Sequence, residues 1–348
     1  MGNFRLEESY GIWSNTMKHF VIISLILNIV FGNTIIVDQM GDGDYLNIND
    51  AIINSSDNDT IQVRAGYYIE QLEFTSGHPS LTIIGAGKDI CTLFYTNIPL
   101  YLHGYNGQFV IEGFTVEWGG AAGGGINISA GNGDYTIKKC AIIKPNVSAD
   151  DVQGIGISGL NGSDISILNC LINVEGFGSN RRGITVSGSM TNSTVNIANS
   201  MIFGFHRGID CSLSPSDYFL YNNIITGNTV GVTVADNISI VAMYNNVYGN
   251  STNYSNSFVP GTGDISSDPL MIDMAAGDFR LGPGSPCFDT GAPWQQYNDI
   301  DGSRNDMGIF GGPHNLGGPG PVISNIQVSS EQVEQGGVIT IQATGTVD

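Results

Sequence analysis

Short runs of alternating apolar and polar residues recur along most of the chain, and two of them keep step. The first spans six residues, apolar at both ends and bent in the middle, starting at Ile111, Ile137, Ile167, Ile197, Leu220 and Met243. These starts lie 26, 30, 30, 23 and 23 residues apart. The second is a glycine followed by two apolar residues with one residue between them, at Gly125, Gly154, Gly183, Gly208 and Gly231. The apolar residue after each glycine falls 11 to 13 residues ahead of the next six-residue start. Alternation over four or five residues marks a strand with one buried face. Two interlocked patterns at a period of 20–30 residues predict a β-solenoid with three short strands per turn. A leucine-rich repeat is excluded, because its Leu-x-x-Leu-x-Leu frame is missing.

The bend of the six-residue pattern carries Asn169, Asn199, Asn222 and Asn245 in what reads as one column. Asparagine tolerates the left-handed backbone of a tight bend. Its amide can also bond the amides above and below, so the column is expected to form a ladder. Gly113 and Lys139 interrupt it in the earlier turns. Cys140 and Cys170 take equivalent inward positions and read as stacked free thiols, small core residues like the other three cysteines.

This pattern resembles the pectate-lyase-like superfamily of parallel β-helix proteins. The opening does so too, in Gly41, Asp42, Gly43, Asp44 and Tyr45, in Ile48 to Ile52, and in Asp59 to Tyr67. The resemblance implies an all-β, right-handed parallel β-helix with a short N-terminal capping helix. Ile48, Ala51 and Ile52 have the helical spacing for that cap. The end resembles the tail of choice-of-anchor surface proteins, in Asp268 and Pro269, Gly277 to Leu281, Asp289 with Gly291, Asp301 with Arg304, and Asp306 with Gly308. The solenoid is expected over residues 33–258 and its C-terminal cap over 259–313. A Gly/Pro linker follows over 314–321, and then the start of an immunoglobulin-like module over 322–348, too short to complete one.

Charge narrows the partners. With 32 acidic and 12 basic residues the net charge is -20, which repels nucleic acid and anionic membranes. Lys18 and His19 precede an apolar run from Phe20 to Phe31 with Gly32 behind it. That is the form of a signal peptide over residues 1–32, and Met17 is the better start, because Glu7 and Glu8 are foreign to such a segment. An exported, extracellular or cell-surface monomer follows, with no membrane insertion once the leader is removed.

The resemblance places polysaccharide on the face carrying the glycine-led strand, whose outward residues are Asn127, Gly156, Thr185, Asp210 and Thr233. Gln153, Arg182 and Arg207 share one register position there, two residues ahead of the first apolar residue. Arg181 and His206 adjoin them, and Lys144, Asp150 and Asp151 belong to the neighbouring turn. On an acidic chain this basic cluster is the candidate anion site. Arginine can clamp a uronate carboxylate with two parallel bonds. The candidate catalytic set is Asp210, Arg207 and Arg182. Lys144, Gln153, Arg181, Thr185 and His206 would contact the sugar, and Asp150 with Asp151 could hold calcium through carboxylate oxygens. In a lyase, Arg207 or Lys144 would take the proton next to the carboxylate. The plainer reading is that Arg182 and Arg207 form ion pairs with Asp210, Asp150 or Glu175. The paired aspartates and Gly-Arg-Pro-Trp of pectin esterases are missing, as are the Asn-Thr-Asp and Gly-His-Gly of polygalacturonases. The leading expectation is therefore a polysaccharide-contacting protein without catalysis. A lyase acting on an acidic glycan and a structural adhesin or spacer are the alternatives.

Overall fold

The computed structural model describes residues 32–120, 122–144, 151–174, 180–211, 217–235, 238, 240–255, 258–315, 322–328 and 341–346. The leader, Asp150 and Glu175 lie outside these residues. The described chain is a parallel β-helix. Each turn contributes one strand to each of three sheets of eight, nine and eight strands, and every strand pairs in parallel with the strands of the turns before and after it. One turn runs from Asp151–Ser158 on face I, through Asp164–Leu168 on face II, to Leu171–Val174 on face III.

The alternation read from the sequence is what fills the interior. Ile155 and Ile157 on face I, Ile165 and Ile167 on face II, and Ile172 on face III are all buried, and their equivalents above and below extend one continuous core. The glycines leading the face I strands sit where the inner corner is tightest. A Cβ on Gly183 would lie 2.4 Å from the carbonyl oxygen of Gly208 and 2.7 Å from Cγ2 of Ile202. Only a residue without a side chain fits there. At the N-terminal end the α-helix Ile48–Ile53 buries Ile48, Ala51 and Ile52. Asn47 accepts the N–H of Asp50, and the Glu70 carboxylate accepts those of Ile48 and Asn49, both at 2.9 Å, so the helix start is satisfied from two sides.

The bend between faces II and III departs from the expected ladder. The left-handed position is held by Gly113, Lys139, Asn169, Asn199, Asn222 and then Tyr244, not Asn245. Leu220 pairs with Ala242 rather than Met243, so the last turn is one residue shorter than the repeated Tyr-Asn-Asn triplet suggested. The stacking ladder lies one residue later, pointing inward. Oγ of Ser200 accepts the N–H of Cys170, Oδ1 of Asn223 accepts that of Ser200, Oδ1 of Asn245 accepts that of Asn223, and Oδ1 of Asp264 accepts that of Asn245. Cys140 and Cys170 begin this same column as buried free thiols, and the other three cysteines are also free and buried. A second ladder of Asn228 and Asn250 lines the corner between faces III and I.

The outward asparagines instead bind the tail. Asn169 donates to the carbonyls of Ile309 and Gly311, Asn199 to those of Asp306 and Gly308, and Asn222 accepts the N–H of Ala292. Ile309 closes over Ala141, Leu171 and Met201, the apolar outer row of face III, in a small second core. Arg304 donates to the carbonyls of Gly291 and Thr290. Beyond it, Val322–Val328 and Ile341–Thr346 pair antiparallel. Among the described residues no helix is long and apolar enough to cross a membrane.

Candidate functional site on face I

Register brings the expected residues onto one surface. Gly124, Gln153, Arg182, Arg207 and Val230 are successive partners, and beside them run Asn127, Gly156, Thr185, Asp210 and Thr233. Adjacent strands are about 4.8 Å apart, so side chains one turn away are within reach of each other. Asp210 is the centre. Its carboxylate is 5% exposed and its Oδ2 lies 2.9 Å from Nη1 of Arg207 and 3.5 Å from Nε of Arg182. Two arginines thus converge on one buried acid, and breaking such an arrangement is costly because it strands charge away from water. The hydroxyls of Thr185 and Thr233, on the turns either side of Asp210, are buried and have no hydrogen-bond partner among the described residues.

One turn nearer the N-terminus, Asn180 joins the set. It accepts from Nη2 of Arg182 at 2.9 Å and donates to Oδ1 of Asp151 at 3.0 Å. Sequence reasoning passed over Asn180, although its place two residues ahead of Arg182 on the same strand was a usable signal. Next to it a hollow of about 190 Å³ is lined by Gly123, Gly124, Asn127, Asp151 and Gln153. Gly156 leaves room for Gln153, since a Cβ there would meet its Oε1 at 2.4 Å.

Three expected contacts lie elsewhere. Arg181 and Lys144 are each 1% exposed, inside the structure rather than on face I. Their strands explain this: Arg181 pairs with the buried Val152, and Lys144 ends a face III strand in line with Val174. The Lys144 ammonium donates to the carbonyls of Trp118 and Gly120 and sits 5.3 Å from the Trp118 ring centre. Burial and then the nearby Arg181 lower its pKa. His206 lines a separate groove of about 740 Å³ with Phe203, Phe205, Asn228 and Phe279, between the tail and the corner of faces III and I. For calcium, Asp151 fits poorly. Its carboxylate is engaged by the donors of Asn180 and, at 4.0 Å, Arg182. Among the described residues no three His, Cys, Asp or Glu gather into a metal-binding group.

No protein-family model matches the chain, and no curated protein does. The tail's resemblance to choice-of-anchor proteins therefore rests on its sequence motifs alone. Among solved structures, the chain is similar to the pectate lyase Pel9A, at 12% identity and a TM-score of 0.46 over 81% of this chain and 96% of that one. It is also similar to the pectin methylesterase from carrot, at 14% identity and a TM-score of 0.36 over 68% and 89%. A third is the pectin methylesterase PemA from Erwinia chrysanthemi, at 10% identity and a TM-score of 0.32 over 74% and 98%. At such identities and scores nothing about what this chain does follows from the likeness.

Proposed function

We propose that this is an exported β-helix protein whose face I holds an acidic extracellular polysaccharide without cleaving it. The convergence of Arg182 and Arg207 on the single buried carboxylate of Asp210 carries this reading. Two guanidiniums aligned on neighbouring turns present fixed donors to a carboxylate-bearing sugar, and Gln153, Asn180 and Asn127 continue the polar surface along the helix axis. The same pairing argues against catalysis. Both arginines are committed to Asp210, and an arginine guanidinium in a protein has no acceptor site for a proton. Lys144, the other candidate base, is enclosed beneath backbone carbonyls. The leader-like N-terminus supports export.

The test is to incubate the purified chain with a panel of polyuronates, with and without calcium, and to follow both binding and the absorbance of unsaturated product. Saturable binding without product is expected, with at least a tenfold loss of affinity in Arg207→Ala, equivalent to about 1.4 kcal/mol. Product that disappears in Arg207→Ala would make the protein a lyase. Neither binding nor product would leave the solenoid as a spacer or adhesin.

A further inference from the structure

Face II is plain over most of its length. One outward row reads Thr82, Val110, Thr136, Ser166, Asn196 and Phe219 on successive strands. At the C-terminal end it becomes aromatic. Phe219 and Tyr221 stack at 6.1 Å with their planes 16° apart. The tail then brings in Trp294 at 6.0 Å and Tyr297 at 5.8 Å from Tyr221. Against these rings opens a hollow of about 440 Å³, with Phe219, Tyr221 and Tyr297 on one side and Asp164, Ser166, Thr194 and Asn196 on the other. Oδ1 of Asn196, one of the lining residues, is buried and has no donor among the described residues. A buried acceptor left this way is costly, and most native structures avoid it.

We propose that this hollow is a second glycan site, taking one neutral pyranose of a polysaccharide. A pyranose is itself two-sided, with C–H groups on a face and hydroxyls around the edge. It needs a ring to lie on and polar groups beside that ring, and the hollow supplies both. Its hydroxyls meet the polar side chains of Ser166, Thr194 and Asn196 along that edge. The mouth selects against a uronate. Asp164 lines it, and Asp217 lies one strand beyond Thr194 in the same register. These carboxylates accept from hydroxyls and repel an anion. The two faces therefore differ in the sugar they take: the arginines of face I suit an acidic residue, and the acids and rings of face II a neutral one. This site stands independently of the reading of face I.

Calorimetric titration of the full chain with neutral oligosaccharides (gluco-, galacto- and xylo-hexaoses), and with oligogalacturonate, tests it. At least one neutral hexaose should bind saturably. Tyr297→Ala should weaken it about tenfold or more, which is what losing a well-placed ring contact commonly costs. Asn196→Leu, which keeps the size and removes the acceptor, should weaken it severalfold. Tyr297→Phe and Arg207→Ala should leave it within twofold. Phe219→Ala, within the solenoid, gives the same answer should Tyr297→Ala disturb the tail. No heat from any neutral hexaose at millimolar concentration would overturn the proposal. So would neutral binding that survives both Phe219→Ala and Asn196→Leu, or that is lost in Arg207→Ala.

Discussion

Asn223 offers the sharpest test of how the solenoid is held together. It is fully buried. Its side-chain oxygen accepts the N–H of Ser200 at 2.9 Å, and its amide donates to the Ile197 carbonyl at 2.8 Å and to Oδ1 of Asn245 at 2.9 Å. Alanine deprives the Ser200 N–H of its acceptor and the Ile197 carbonyl of a donor. An unmade buried hydrogen bond costs about 1–3 kcal/mol, so Asn223→Ala should lose about 2–5 kcal/mol of stability. Asn245 still accepts the backbone N–H of residue 223, which limits the damage to one turn. The neighbouring Asn222 makes the control, because it faces outward, with φ of 57°. Glycine adopts that backbone freely, so Asn222→Gly strands a single buried donor, the N–H of Ala292, and loses the contact with Asn199, at a cost of about 1–3 kcal/mol. Urea unfolding followed by circular dichroism should show a shift for Asn223→Ala about twice that for Asn222→Gly. A loss below about 1 kcal/mol for Asn223→Ala, or equal shifts for the two, would refute the assignment of the ladder's energy to the inward column.

Three further outcomes are expected. Gly183→Ala forces a Cβ into the Gly208 carbonyl and should cost about 2 kcal/mol or more by thermal unfolding, whereas Gly162→Ala, at φ of 67° in open space, should cost only its backbone strain. Burial, aided by the carboxylates of Asp299, Asp289 and Asp301 and opposed by the Asp289 N–H, lifts Asp306 to about 6. Its ordinary value is near 4, so the folded tail holds this proton more tightly than the unfolded chain does, and the associated stability is complete below pH about 4 and lost as pH rises through about 6. Hydrogen exchange of residues 305–312, corrected for intrinsic rates, should be more protected at pH 4 than at pH 7.5, and Asp306→Asn should flatten the difference. Burial also raises all five thiols, Cys91 to about 11 and Cys140 to about 12, so an aromatic disulfide reagent at pH 8 should label almost none in the native protein and all five once it is unfolded.

The solenoid was legible because its core repeats: each inward isoleucine stands at a fixed distance from a glycine that only the inner corner explains. The frame slipped at the last turn, where Ala242 is small enough to pass for a polar-side residue and the triplet at 244–246 imitates the one at 221–223. That slip set the inward Asn245 in line with the outward Asn169, Asn199 and Asn222, and hid its partnership with Asn223. At the site, Asp210, Arg182 and Arg207 were legible from register alone. The burial of Arg181 and Lys144 was not, because charge near a turn ordinarily means solvent, and the carbonyls that satisfy Lys144 belong to the turn before it. A cap was expected over 259–313, but nothing local announced where it packs. Trp294 and Tyr297 meet Tyr221 across more than 70 residues of chain, and only the folded path brings them together.

The tail's route has a mechanical consequence. It leaves the last turn near Asn246 and travels back along the solenoid, touching Asn222, then Asn199, then Asn169. A pull on the chain at residue 315 would therefore enter at the turn of Asn169, and the turns beyond it would carry little of the load. Repeat proteins commonly fray from an exposed end, one unit at a time. Here the terminal turns are stitched to a single strap, so peeling one requires breaking the strap's bonds to its neighbours as well. The C-terminal end behaves as a clamped joint rather than a loose thread.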